Sequence, residues 1–142
     1  MKGKKLFPNE NIITTKLFTV GQDWEIPIPG FFIISPSRKI DSITDFTEKE
    51  AVEFLDILRK VRRGMKDILG IKKVYLVQKE GSEYGFHFWL FPRYDWMKRF
   101  GDSISSIVPI AKYAKENMVS DDVLEEVRNS VRKMRDYMSK SG

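Results

Sequence analysis

The spacing of hydrophobic and polar positions changes several times along the chain, and each change marks an expected element. Residues 12–20 are rich in β-branched side chains and predict a strand, followed by a turn at Gly21-Gln22-Asp23. Residues 24–30 contain Pro27 and Pro29, which cannot donate to a sheet ladder, so this stretch reads as extended chain outside the sheet centre. Phe31-Phe32-Ile33-Ile34-Ser35 is a compact apolar strand ended by Pro36. Thr47 and Glu50 have capping-box spacing and predict the start of a long helix running to about Leu69. Its expected apolar face is Val52, Leu55, Leu58, Val61 or Arg62, Met65 and Ile68-Leu69. Gly70 suits the position just past a helix end. Gly64 inside the helix costs roughly 1 kcal/mol relative to alanine and marks a candidate close approach of another backbone.

Residues 74–78 predict a further strand, 80–84 a turn, and 85–93 a second strand, which the short loop makes an antiparallel hairpin. Two helices are expected to close the chain. The first carries Ile104, Ile107, Val108, Ala111, Ala114 and Met118 on one face. The second, capped by Ser120-Asp121-Asp122, carries Val123 or Leu124, Val127, Val131, Met134 and Met138.

The strand at 85–93, Gly-Phe-His-Phe-Trp-Leu-Phe-Pro-Arg, has two characters when read with period two. Phe86, Phe88 and Leu90 form a uniformly apolar side that should pack on a core. Gly85, His87, Trp89 and Phe91 form the other side, with space left by the glycine beside an imidazole. His87 is the sole histidine. A neutral imidazole is the one side chain in this chain suited to act as a nitrogen nucleophile near neutral pH. The alternative is a half-buried histidine with a satisfied hydrogen bond and no chemical task.

Composition narrows the chemistry. The 142 residues suit one domain, and 42% hydrophobic with 13% aromatic content is enough for a core. Cysteine is absent, which excludes disulfides, thiolate metal sites and a cysteine nucleophile. With one histidine as well, no structural zinc site is expected, and no cofactor or protein-held metal is assigned, which leaves open a divalent ion that accompanies a polyphosphate. No apolar run is long enough to span a bilayer, and the basic start lacks the apolar stretch of a signal peptide, so a cytoplasmic protein is expected. A formal charge of +5 favours anionic ligands. The run from Tyr94 to Gly101 mixes aromatic and basic residues, as a nucleic-acid surface would, or as a loop whose Trp96 and Phe100 pack on the body would.

The order of these elements and three local sequences resemble the histidine triad (HIT) superfamily, in the branch of the diadenosine polyphosphate hydrolases. Pro29-Gly30-Phe31 with Pro36-Ser37-Arg38-Lys39 is similar to its Pro-Gly-His…Pro-Lys-x-His strand. Asp45-Phe46-Thr47-Glu48-Lys49-Glu50 is similar to its entry into the main helix, and Gly85–Arg93 to its His-x-His-x-His-x-x-Pro-Arg signature. The triad is degenerate: His87 stands at the middle position, Gly85 replaces the first histidine and Trp89 the third. Phe31 and Lys39 stand where the upstream strand commonly has histidines.

The resemblance implies an α+β fold: an antiparallel sheet of about five strands, one long helix on one face, and two C-terminal helices outside the family pattern. The domains implied are a flexible basic arm at 1–10, a HIT-like domain at 11–100, and a helical extension at 101–142 packed on the same domain. It also implies a nucleotide phosphoanhydride hydrolase or nucleotidyl transferase working through a nucleotidyl-His87 intermediate. The alternative is a nucleotide-binding protein that the incomplete triad leaves with little turnover. His87 is the implied catalytic residue. Asp23, at the ribose, and Trp24 or Phe32, at the base, are the implied nucleoside contacts, with Lys79, Ser82, Trp89 and Arg93 near the phosphates. The expected partners are a nucleotide or dinucleoside polyphosphate and a second copy of the chain, with the terminal helices available to cover it.

Overall fold

The structure, a computed structural model, describes residues 5–140. Five strands, β1 (Asn11–Thr14), β2 (Phe18–Gln22), β3 (Phe32–Pro36), β4 (Val74–Gln78) and β5 (Phe88–Pro92), form one open sheet in the order β1-β2-β3-β5-β4. Every neighbouring pair is antiparallel. Helix α1 (Glu48–Asp67) joins β3 to β4; α2 (Ile107–Asn117) and α3 (Asp121–Lys140) follow the sheet. The architecture is α+β, with the five-stranded antiparallel sheet and long helix that the sequence leads one to expect.

The alternation of β5 divides the molecule. Phe86, Phe88 and Leu90 join a core with Phe18, Val20, Phe32 and Ile34, covered by Phe54, Ile57, Val61 and Met65 of α1 and by Val131, Met134 and Met138 of α3. Phe91 lies on the opposite face in a second core with Ile28, Phe31, Met97, Ile107, Ile110 and Ala114. Each sheet face thus carries a core packed against helix or loop, the condition for a stable layered domain.

Three expectations shift. The strand at 12–20 is a hairpin, because the Thr15 hydroxyl accepts the N–H groups of Leu17 (3.2 Å) and Phe18 (3.0 Å) and turns the chain there. Gly21 and Gln22, read as a turn, then belong to β2.

The apolar face of α1 is rotated from the one expected. Phe54 meets the rings of Phe18, Phe46, Phe86 and Phe88 at centroid distances of 5.2–5.9 Å, and this aromatic cluster chooses the buried stripe. Val52 and Leu55 are left 70% and 56% exposed.

Within the described part of the expected arm, Phe7 is 1% exposed, and the N–H groups of Leu6 and Phe7 both reach the Trp24 carbonyl, at 2.8 and 3.0 Å. These residues lie on the body.

The helix ends follow their local chemistry. Thr47 and Glu50 close a reciprocal capping box on α1. Gly64 lies where α3 crosses: a Cβ there would stand 2.8 Å from Met134 Cε and from the Tyr137 ring. The stripe Val127, Val131, Met134 and Met138 of α3 is buried inside the chain, so these side chains are not surface for a partner.

Candidate functional site

The sheet face opposite α1 is not wholly covered. Between it and the segment leading into α2 lies a cleft of about 790 Å³. Strand register builds its floor in two rows. Gly21 pairs with Ile33, Ile33 with Trp89, and Trp89 with Val77, which makes one largely apolar row across four strands. One step along, Thr19 pairs with Ser35. Continuing the pairings Ile34↔Phe88 and Gln78↔Phe88 by one residue sets His87 between Ser35 and Lys79. All eight residues line the cleft.

His87 is half-buried and open to this space. Its Nδ1 lies 3.2 Å from the Gly85 carbonyl oxygen. A carbonyl only accepts, so this bond puts the ring proton on Nδ1 and leaves the Nε2 lone pair free. Gly85 makes the arrangement possible. It has φ +79°, and a Cβ there would stand 2.9 Å from the Ile40 carbonyl oxygen, which accepts the Phe86 N–H at 2.8 Å. A glycine at position 85 is therefore required by the local backbone.

The remaining expected residues divide. Lys79 and Ser82 line the cleft beside His87, and among the described residues the Lys79 ammonium makes no ion pair. The Ser82 hydroxyl accepts the Tyr84 N–H at 3.2 Å, which leaves its own proton free to donate. Asp23 and Trp24 stand at the other end of the cleft. Asp23 Oδ2 accepts the N–H groups of Glu25 (3.1 Å) and Ile26 (2.8 Å) and shapes the loop before β3. Burial pushes the Asp23 carboxyl above its ordinary value, against the opposing pull of those two N–H groups. The Lys5 ammonium lies over the Trp24 ring, 5.4 Å from its centroid.

Phe32 and Arg93 are outside the cleft. Phe32 pairs with Leu90 and turns to the α1 side, fully buried, while its neighbour Phe31 packs edge-on to Trp89 at 5.4 Å. The Arg93 side chain is 7% exposed. It donates to Ser106 Oγ (3.1 Å) and the Gly101 carbonyl (2.8 Å), and lies 4.7 Å over the Tyr75 ring. It fastens a loop and gives no charge to the cleft.

Three features of the cleft were not legible in the sequence. Thr19 and Ser35 look like ordinary strand residues until register aligns them with His87. The wall of Ile104, Ser105, Ile107 and Val108 comes from the expected helical extension, with Ile104 and Val108 58% and 74% exposed. Phe7 and Pro8 come from the expected arm.

Elsewhere, Trp96 and Phe100 pack against Tyr113 at 5.6 and 5.8 Å, Arg99 lies over Tyr113 at 4.4 Å, and the Tyr94 hydroxyl donates to the Pro29 carbonyl at 2.5 Å. The segment from 94 to 100 is thus folded onto the second core.

No protein-family model matches the chain, and no curated protein matches it. Solved structures do. A Zn-bound histidine triad family protein from Mycobacterium smegmatis is similar over 95% of this chain and 87% of its own, at 14% identity and TM-score 0.64. A hypothetical histidine triad nucleotide-binding protein from Sulfolobus tokodaii aligns over 95% and 89%, at 12% identity and TM-score 0.64. A HIT family member from Bacillus subtilis aligns over 81% and 92%, at 16% identity and TM-score 0.58. At these identities the likeness is one of fold, and it extends through the C-terminal helices. Among the described residues of this chain, no group of three or more His, Cys, Asp or Glu is arranged to hold a metal ion.

Proposed function

We propose that the cleft binds a nucleotide and that His87 attacks its α-phosphorus. The observation that carries this reading is the Nδ1–H···O=C bond from His87 to Gly85, which leaves Nε2 as a free nucleophile beside Lys79 and Ser82. In the reaction the Nε2 lone pair forms an N–P bond while the phosphoanhydride P–O bond breaks, and the leaving phosphate departs with that bonding pair. Water then cleaves the nucleotidyl-His87 intermediate and releases the nucleoside monophosphate. Lys79 and the Ser82 hydroxyl are placed to meet the developing charge. Trp24 and the apolar row give the base a surface, and Asp23 Oδ1, free of hydrogen bonds among the described residues, is available to a ribose hydroxyl. Dinucleoside polyphosphates are the substrate class this reading favours.

The test is incubation with diadenosine tetraphosphate. Mononucleotide should be released, and His87→Ala should lower the rate by a factor of at least about 10³, as expected for loss of a nucleophile. A His87→Ala rate equal to wild type would remove His87 from the mechanism. A second reading, nucleotide binding with little turnover, is favoured by the commitment of Arg93 to the loop, since loss of one preorganised donor typically costs about 10²–10³ in rate. Thermal stabilisation by AMP without product formation would select it.

We also propose a homodimer. The edge strand β4 exposes Leu76 at 51% on the α1 side of the sheet, the side on which Val52 and Leu55 stand out from α1. Light scattering on the purified chain should give twice the 16.7 kDa monomer mass, and Leu55→Glu should return it to one.

A further inference from the structure

We infer that the row Thr19–Ser35–His87–Lys79 is a track for an anionic ligand with two phosphate groups, one at His87 and the second held at Thr19. The inference rests on the nucleotide reading of the cleft and adds to it the length and direction of the phosphate chain.

Three observations carry it. First, Thr19 and Ser35 are half-buried, line the cleft, and make no side-chain hydrogen bond among the described residues. Two hydroxyls facing inward on neighbouring strands without a protein partner are suited to a ligand.

Second, the residues on either side of His87 in the row are donors. The ammonium of Lys79 can only donate, and both hydroxyls are free to do so. Of the carboxylates that also line the cleft, Glu10 pairs with Arg135 at 3.8 Å, and Asp23, whose Oδ2 accepts the N–H groups of Glu25 and Ile26, stands outside this row. The adjacent row of Gly21, Ile33, Trp89 and Val77 offers almost no polar group, so an anion has one row to choose.

Third, the spacing is long. Neighbouring strands stand about 4.8 Å apart, so Ser35 and Lys79 flank His87 while Thr19 is two strands away, roughly 10 Å. A single phosphate on His87 reaches Ser35 and Lys79 but not Thr19. The Thr19 hydroxyl is used only by a ligand that continues past Ser35 with a second anionic group. A nucleoside diphosphate, or a longer phosphate chain, has that reach and a monophosphate does not.

The experiment is calorimetric titration of the full chain with AMP and with ADP. ADP should bind at least about tenfold more tightly than AMP, the scale of one hydrogen bond to a charged group. Thr19→Val keeps the shape of the side chain and removes the donor; it should abolish that preference and leave AMP affinity unchanged. Ser35→Ala should weaken both ligands about tenfold. Thr19→Ser and Ser35→Thr, which keep the hydroxyl, should restore wild-type binding, and unchanged melting temperatures would exclude a folding effect. Equal wild-type affinities for AMP and ADP, or a preference that survives Thr19→Val, would overturn the track while leaving the nucleotide site intact. A wild-type chain that binds neither nucleotide would remove the site and the track together.

Discussion

At the scale of single residues, the glycine two positions before His87 is set by backbone conformation. Gly85 has φ +79° and lies against the Ile40 carbonyl, so a side chain there meets both a left-handed backbone and a close oxygen. The left-handed conformation alone costs a non-glycine residue about 1–2 kcal/mol. Placing an imidazole there as Gly85→His should therefore lower the melting temperature, by about 2–4 °C for each kcal/mol lost, with no gain in turnover. A variant that keeps its melting temperature and hydrolyses faster would refute this. The same scale shows the limit of reading a site from sequence. Phe31 and Phe32 are adjacent and equally apolar, and nothing local says which one faces the cleft. The pairing of Phe32 with Leu90, more than fifty positions away, turns Phe32 to α1 and Phe31 to Trp89. Thr19 and Ser35 escaped notice for the same reason: their alignment with His87 exists only in the register of four strands.

At the scale of elements, the start of α1 was legible and its orientation was not. Thr47 and Glu50 are three residues apart and cap the helix whatever surrounds them. Glu50 also accepts from Arg38 at 2.8 and 2.9 Å, and this partner, with the Thr47 N–H, holds its carboxyl down at about 2, below the ordinary 4.5. The folded chain thus binds this proton more weakly than the unfolded chain. The stabilisation is complete above about 4.5 and is lost as pH falls through 4.5 towards 2. Glu50→Gln keeps a capping side chain and loses the charge. It should cost about 1–3 kcal/mol at neutral pH, and its denaturant midpoint should vary less with pH below 4.5 than that of wild type. Parallel wild-type and variant curves in that range would contradict the assignment. The orientation of α1 depended on rings elsewhere. Its sequence contains two apolar stripes, and the phenylalanines of β2, β5 and the loop before α1 selected the one with Phe54.

At the scale of the molecule, the five-strand sheet and its long helix were readable because alternation, capping and turn residues are local signals that agree with one another. The limits of the cleft were not readable in this way. Its floor comes from residues 19–89, but Phe7 and Pro8 close one side and Ile104 to Val108 another, and no local pattern ties those segments to His87. The link on the second side is Arg93. It leaves β5 six residues after His87 and grips Ser106 and Gly101, while Tyr75 beneath its guanidinium donates to the Asp102 carbonyl. This residue is a rivet between the strand that follows His87 and the segment that forms the wall, and it touches none of the space between them. Replacing it with leucine should therefore widen the mouth: a bound nucleotide would leave faster in a stopped-flow displacement trace, while the bond between His87 and the Gly85 carbonyl, which Arg93 does not touch, would be kept. An unchanged departure rate would mean that Ile104 to Val108 hold their place without it. The Pro-Arg that ends the strand would then govern how long a ligand stays rather than how it reacts.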